Sequence, residues 1–328
     1  MTTTLGKDYT FLVLTMFFWG GSWVSGKIIV GTAPPFTIGF FRFLMASVFL
    51  LPLALLPRSH DTSHVTRRTI AEYLMMGFIG IFGYGMFFLT GMRFTTAAQG
   101  SIIAGVNPAS VSLWAHLVHQ ERLDRRWKYV GFALSFTGVL FVIGVQALLD
   151  FRPDYMIGNL LVLCAMMTWG AYSTIGKSAM RTSSPLQTTA GSVAFGTMFF
   201  SIGAVFEGFW TLPAMTDPVF WTNILFLAIP VTFLSYVFYF SAINDIGATR
   251  SAVFINLVPV FGVTLSMLVL QEPIYLTFAV GLLLVILGIL TINYPVRRVN
   301  RVSSDSTTAA FSSTETEPPQ SSQSKAKD

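Results

Sequence analysis

Charged side chains are scarce. Asp, Glu, Lys and Arg make up 11% of the 328 residues, against 53% apolar, whereas a soluble domain carries about 25% charged residues. So few charges cannot cover a water-facing surface on a chain this long. Soluble classes are excluded, and much of the surface must face lipid. Cysteine is nearly absent: Cys164 stands alone inside an apolar run, forms no intrachain disulfide, and reads as a small packing residue. Catalytic signatures are missing too. Gly83-Tyr84-Gly85 lacks the rest of a phosphate-binding loop, and no Ser/His/Asp or paired-carboxylate arrangement occurs. His116, His119 and Glu121 form an H-x2-H-x-E cluster too small for a metal site, since zinc needs more ligands than these nearby. The expectation is no enzyme, no metal and no cofactor. The net charge of +5 comes from basic residues in short loops, with no basic stripe interleaved with aromatics, which excludes a nucleic-acid partner.

What is present is a series of charge-free runs. A helix needs about 20 residues to cross the hydrocarbon, and the runs predict ten spans near 8–30, 36–56, 70–91, 96–118, 127–147, 156–178, 185–208, 218–242, 248–270 and 274–294. The first run is too long for a signal-peptide core and no A-x-A site follows it, so it counts as a span. With the N-terminus inside, sixteen of the 20 Lys and Arg residues fall in inner segments and three (Lys27, Arg93, Arg152) in outer ones, while Arg42 lies within a span. This bias predicts cytoplasmic termini. Residues 299–328 are rich in Ser, Thr, Pro and Gln, bury too little to offset their ordering entropy, and read as a disordered cytoplasmic tail.

The chain also matches itself at an offset of 150 to 151 residues. Trp19-Gly20 then Gly26-Lys27 recurs as Trp169-Gly170 then Gly176-Lys177, both W-G-x5-G-K; Pro35 recurs as Pro185. Pro108 with Gln120-Glu121 recurs as Pro259 with Gln271-Glu272, and Gly131 and Gly138 as Gly281 and Gly288. Five spans is an odd number, so the second copy enters the membrane from the opposite side. The expected fold is all-α integral membrane: ten transmembrane helices as two inverted five-helix repeats, 1–147 and 148–296, with a tail at 297–328. Such a pair of halves suits alternating access around a midplane site.

This ordered set of motifs resembles the drug/metabolite transporter superfamily, in particular its ten-helix EamA-type branch, over residues 1–296. The resemblance implies that spans one to four and six to nine line a central cavity, with five and ten at the periphery. It implies transport of a small-molecule solute across a lipid bilayer, by a multi-pass protein of the cell membrane, and leaves proton coupling open. The small four-helix multidrug members carry a membrane-embedded Glu in their first helix. Here Glu72, Glu121, Glu207, Asp217, Asp245 and Glu272 are assigned to helix ends or loops, which disfavours a proton-for-cation exchanger.

Arg42 is the foremost site candidate, because a charge within a span costs at least about 2.5–3.5 kcal/mol. It reads as a cavity cation for a substrate carboxylate, or as an arginine snorkelling to the interface. Lys27 and Lys177 are candidate gates or helix-end caps. Pro108 and Pro259 are expected kinks, with Asn107 and Asn256 beside them. Trp19, Trp169, Tyr84, Tyr236 and Tyr239 supply aromatic surface on the lining spans. Gln99 and Asn244 read as hydrogen-bonding glue between helices. Cationic groups without a buried acid favour an anionic or zwitterionic, amino-acid-like solute. Efflux of drug-like molecules is the alternative within transport, and a membrane enzyme or scaffold acting on lipids the alternative outside it.

Overall fold

The computed structural model describes residues 2–56, 66–119, 153–246, 254–273 and 275–293, with scattered positions between 130 and 141. Helices account for nearly all of these, and no strand occurs among the described residues. The fold is all-α and membrane-integral, ten spans in two inverted copies. The first two spans run Thr2–Ile29 and Pro35–Leu55, and the third covers Arg67–Phe94. The fourth is built of Ala97–Ile103 and Asn107–His119. The sixth and seventh are Pro153–Ala179 and Pro185–Phe206. The eighth starts at Pro218 and closes with the helix Ser235–Ile246. The ninth contains Leu257–Leu270, and the tenth is Leu276–Asn293. The fifth, expected at 127–147, falls largely outside the described residues, as does the tail.

Local chemistry sets the helix starts. Pro35 and Pro185 occupy the first turn of their spans, where a missing N–H costs nothing. Ser184 and Gln187 form a reciprocal capping box on the seventh span, and Thr96 accepts from Gln99 N (3.1 Å) at the start of the fourth.

The repeat extends to backbone detail. The chain leaves the first span through Val30 N to Gly26 O, Gly31 N to Ile28 O and Thr32 N to Ile29 O. It leaves the sixth through Met180 N to Gly176 O, Arg181 N to Ser178 O and Thr182 N to Ala179 O, the same bonds 150 residues on. Spans two and seven face each other, Phe43 stacking on Phe200 at 5.6 Å. Ser47 shares a 3.3 Å hydrogen bond with Thr197, its own repeat mate. A pseudo-two-fold axis therefore passes between these two side chains.

Small residues bring the other helices together, as expected where lipid provides no hydrophobic drive between them. A Cβ on Gly20 would lie 2.6 Å from Phe261 Cβ and 2.9 Å from Gly262 N, and one on Gly170 would lie 2.8 Å from the Ser110 carbonyl carbon. Span one thus meets span nine as span six meets span four. Gly138 likewise brings the fifth span to the tenth, with a Cβ there 2.7 Å from Gly281 O.

Two irregularities both obey the repeat, and only the first was not expected. The third and eighth spans each contain a wide π turn, Gly77–Gly83 and Leu227–Leu234. Pro230 removes one donor from the ladder in the second, and hydroxyls add bonds along it: Thr232 Oγ1 to Leu227 O (2.8 Å) and Ser235 Oγ to Pro230 O (2.7 Å). The fourth and ninth spans each contain a tight 3₁₀ turn, Ala104–Val106 and Phe254–Asn256. Their helices restart at Asn107 and Leu257, so Pro108 and Pro259 lie in a first helical turn. The two breaks meet, since a Cβ on Gly105 would touch Pro259 Cγ at 3.6 Å.

Candidate functional site

Arg42 sits in span two with 7% of its surface exposed, its guanidinium over the Phe43 ring at 4.9 Å from the centroid. Its Nε has no hydrogen-bond partner. Among the described residues the one ion pair is Arg68–Glu72, at 3.2 Å on the surface, so no carboxylate there neutralises Arg42. Leaving a buried donor unsatisfied costs about 1–3 kcal/mol.

Phenols surround it. Tyr84 from span three and Tyr236 from span eight lie close enough to Arg42 to interact with it electrostatically, and Tyr172 from span six interacts in the same way with Tyr236. Tyr84 and Tyr236 each follow a π turn closely, so the widened turns set where these rings point. Trp19 lies 6.2 Å from Tyr236 and 5.4 Å from Tyr239, and its Nε1 donates to Val231 O (3.1 Å) inside the π turn. Trp169, its repeat mate, lies 5.3 Å from both Tyr84 and Tyr172. The two W-G motifs thus bring one aromatic pair from each side toward a shared cation.

The remaining sequence candidates separate. Lys27 Nζ donates to Met92 O (2.9 Å) and Thr95 O (2.5 Å), closing the C-terminal end of span three. Lys177, its repeat mate, is exposed. Asn107 is half-buried beside the break in span four, and its Oδ1 has no partner. The side chains of Asn256, Asn244, His116, His119 and Glu121 lie outside the described residues. Gln99 Oε1 accepts from Asn159 Nδ2 (2.7 Å), binding span four to span six as glue.

Several residues escaped the sequence reading. Tyr172 belongs to the cluster, but its repeat mate is Ser22, so the self-match does not flag it. Asp8, at the edge of the first span, is 1% exposed with Oδ1 unpartnered, a buried acid the sequence reading did not flag. Glu207 and Glu272, assigned to helix ends, each reach across to the other repeat. Glu207 accepts from Phe36 N (3.1 Å), Thr37 N (2.7 Å) and Thr37 Oγ1 (2.7 Å). Glu272 accepts from Ala97 N and Ala98 N, both at 2.9 Å, and from Ser266 Oγ. No group of three or more metal-ligating side chains occurs among the described residues.

Known proteins share this plan. The profile of the EamA-like transporter family matches twice, over residues 7–144 and 156–294. The uncharacterized transporter YyaM of Bacillus subtilis is 27% identical over 294 residues, covering 88% of this chain and 94% of its own. An uncharacterized transporter of Archaeoglobus fulgidus is 29% identical over 287 residues, covering 86% and 96%. A solved crystal structure aligns over 91% of this chain and 99% of its own with a TM-score of 0.61 at 18% identity, a likeness in fold alone. With both repeats matched end to end, the chain belongs to the EamA-like transporter family, and it is a multi-pass membrane transporter.

Proposed function

We propose that the protein is a secondary transporter of small anionic or zwitterionic metabolites, amino-acid-like in size and charge, working by alternating access. The observation that carries this is the buried Arg42 guanidinium with its bare Nε, set among phenols contributed by both repeats. A carboxylate entering there gains charge-assisted hydrogen bonds and completes an unsatisfied donor. The flanking Trp19 and Trp169 pairs give apolar faces for the rest of the solute. We assign the halves to 1–147 and 148–296, with a tail from 297, and place both termini on the cytoplasmic side of the cell membrane.

The test is uptake by proteoliposomes from a panel of amino acids, organic acids, sugar phosphates and lipophilic cations, with and without a pH gradient. Uptake of carboxylate-bearing solutes is expected. Uptake confined to lipophilic cations overturns the reading, and the response to the gradient decides proton coupling.

A further inference from the structure

The break in span four divides its allegiance. Ala97–Ile103 lies against span nine, Leu257–Leu270, whereas Asn107–His119 lies against span six. Ser101 marks how tight the first contact is, because a Cβ on Gly262 would fall 2.7 Å from its Oγ. Glu272 stands at the end of span nine, its carboxylate accepting from the N–H groups of Ala97 and Ala98. An anion at a helix N-terminus is favoured by the aligned peptide dipoles.

The chain distorts itself to place this carboxylate. Gln271 adopts φ 54°, the one positive φ at a residue other than glycine among the described residues, a region that a side chain of this kind enters at a cost. The same Gln-Glu pair recurs as Gln120-Glu121, 151 residues earlier, at the end of span four in the opposite sense. Glu207 makes a similar-looking bond, but it joins spans two and seven, which also meet along the axis at Ser47 and Thr197. That pair has other contacts to keep it closed.

We propose that Glu272 is the releasable latch of one mouth of the pathway, the mouth that the proposed topology places outside, and that Glu207 is a static cap. This rests on the alternating-access reading, since a latch presumes a mouth that opens. When the latch lets go, the Ala97–Ile103 piece separates from span nine, and Ser101, now fully buried, becomes accessible to water.

The experiment uses the full chain in nanodiscs, in a Cys164→Ser background, with Ser101→Cys as reporter and a water-soluble maleimide as probe. Ala190→Cys, buried in span seven, reports on overall folding. Adding Glu272→Ala is expected to speed labelling of Ser101→Cys by at least about tenfold, since it removes two charge-assisted hydrogen bonds and one alone produces that shift, with Ala190→Cys still protected. Glu207→Ala is expected to leave Ser101→Cys protected. Unchanged labelling with Glu272→Ala overturns the latch. Where both reporters label equally the variant has unfolded, and Glu272→Gln, which keeps an acceptor but removes the charge, decides in a folded protein: protection of Ser101→Cys there overturns the latch, and labelling of Ser101→Cys alone upholds it. None of these results bears on whether carboxylate-bearing solutes cross the membrane, which uptake measures separately.

Discussion

Replacing Glu207 by Ala isolates what a cap supplied from the other repeat is worth. Span two begins at Pro34-Pro35, and Pro34 offers no capping side chain. The N–H groups of Phe36 and Thr37 and the Thr37 hydroxyl therefore depend on Glu207, at 3.1, 2.7 and 2.7 Å. Thr37 is fully buried, so water does not replace the lost acceptor without repacking. Loss of a cap costs about 0.5–2 kcal/mol and an orphaned buried donor about 1–3 kcal/mol, which together put the variant near 2–3 kcal/mol less stable. At about 2–4 °C per kcal/mol for a large chain, the midpoint of thermal unfolding in detergent falls by roughly 4–12 °C. Ser184→Ala removes the corresponding cap from span seven, a single bond from Gln187 N at 3.3 Å, and is expected to cost about 1 kcal/mol. A Glu207→Ala midpoint within about 1 °C of wild type, or a larger loss from Ser184→Ala, refutes the reasoning.

Three further outcomes are expected. Lys27→Met leaves the Met92 and Thr95 carbonyls without their ammonium and lowers stability by about 1–2 kcal/mol, read as a lower unfolding midpoint; an unchanged midpoint contradicts the cap. Gly20→Ala drives a methyl to 2.6 Å from Phe261 Cβ and costs about 1–3 kcal/mol, seen in the same assay; a neutral effect contradicts the close approach. Ser47→Cys with Thr197→Cys, in a Cys164→Ser background, forms an intramolecular disulfide under mild oxidant because their oxygens stand 3.3 Å apart; failure to cross-link contradicts the axis.

Much of this was legible in the sequence because membrane insertion is a severe filter. Charge-free runs predicted the described spans with ends shifted by a few residues, and Arg42 stood out because a charge inside such a run needs a reason. The W-G-x5-G-K pair pointed to Trp19 and Trp169, and the first glycine of each motif, Gly20 and Gly170, proves to be the close contact with span nine and span four. The π turns were not legible, since glycines at 77, 80 and 83 or a proline at 230 fit a packed α-helix equally well in isolation. The eighth-span turn also has a tertiary partner that no local pattern shows: Trp19 Nε1 donates to Val231 O, 212 residues away. Glu207 and Glu272 looked like ordinary helix-end charges because their partners are backbone N–H groups, which carry no residue signature. The uncapped Pro34-Pro35 start was the one hint that an acceptor had to come from elsewhere.

We propose that Arg42 holds the transported anion. Counterflow of a carboxylate-bearing solute, measured in the same proteoliposome preparation for wild type, Arg42→Lys and Arg42→Leu, tests it most directly. The account predicts loss of at least about tenfold with Leu, and a smaller loss with Lys, which keeps the charge but not the planar fork. Counterflow by Arg42→Leu at the wild-type rate would contradict it.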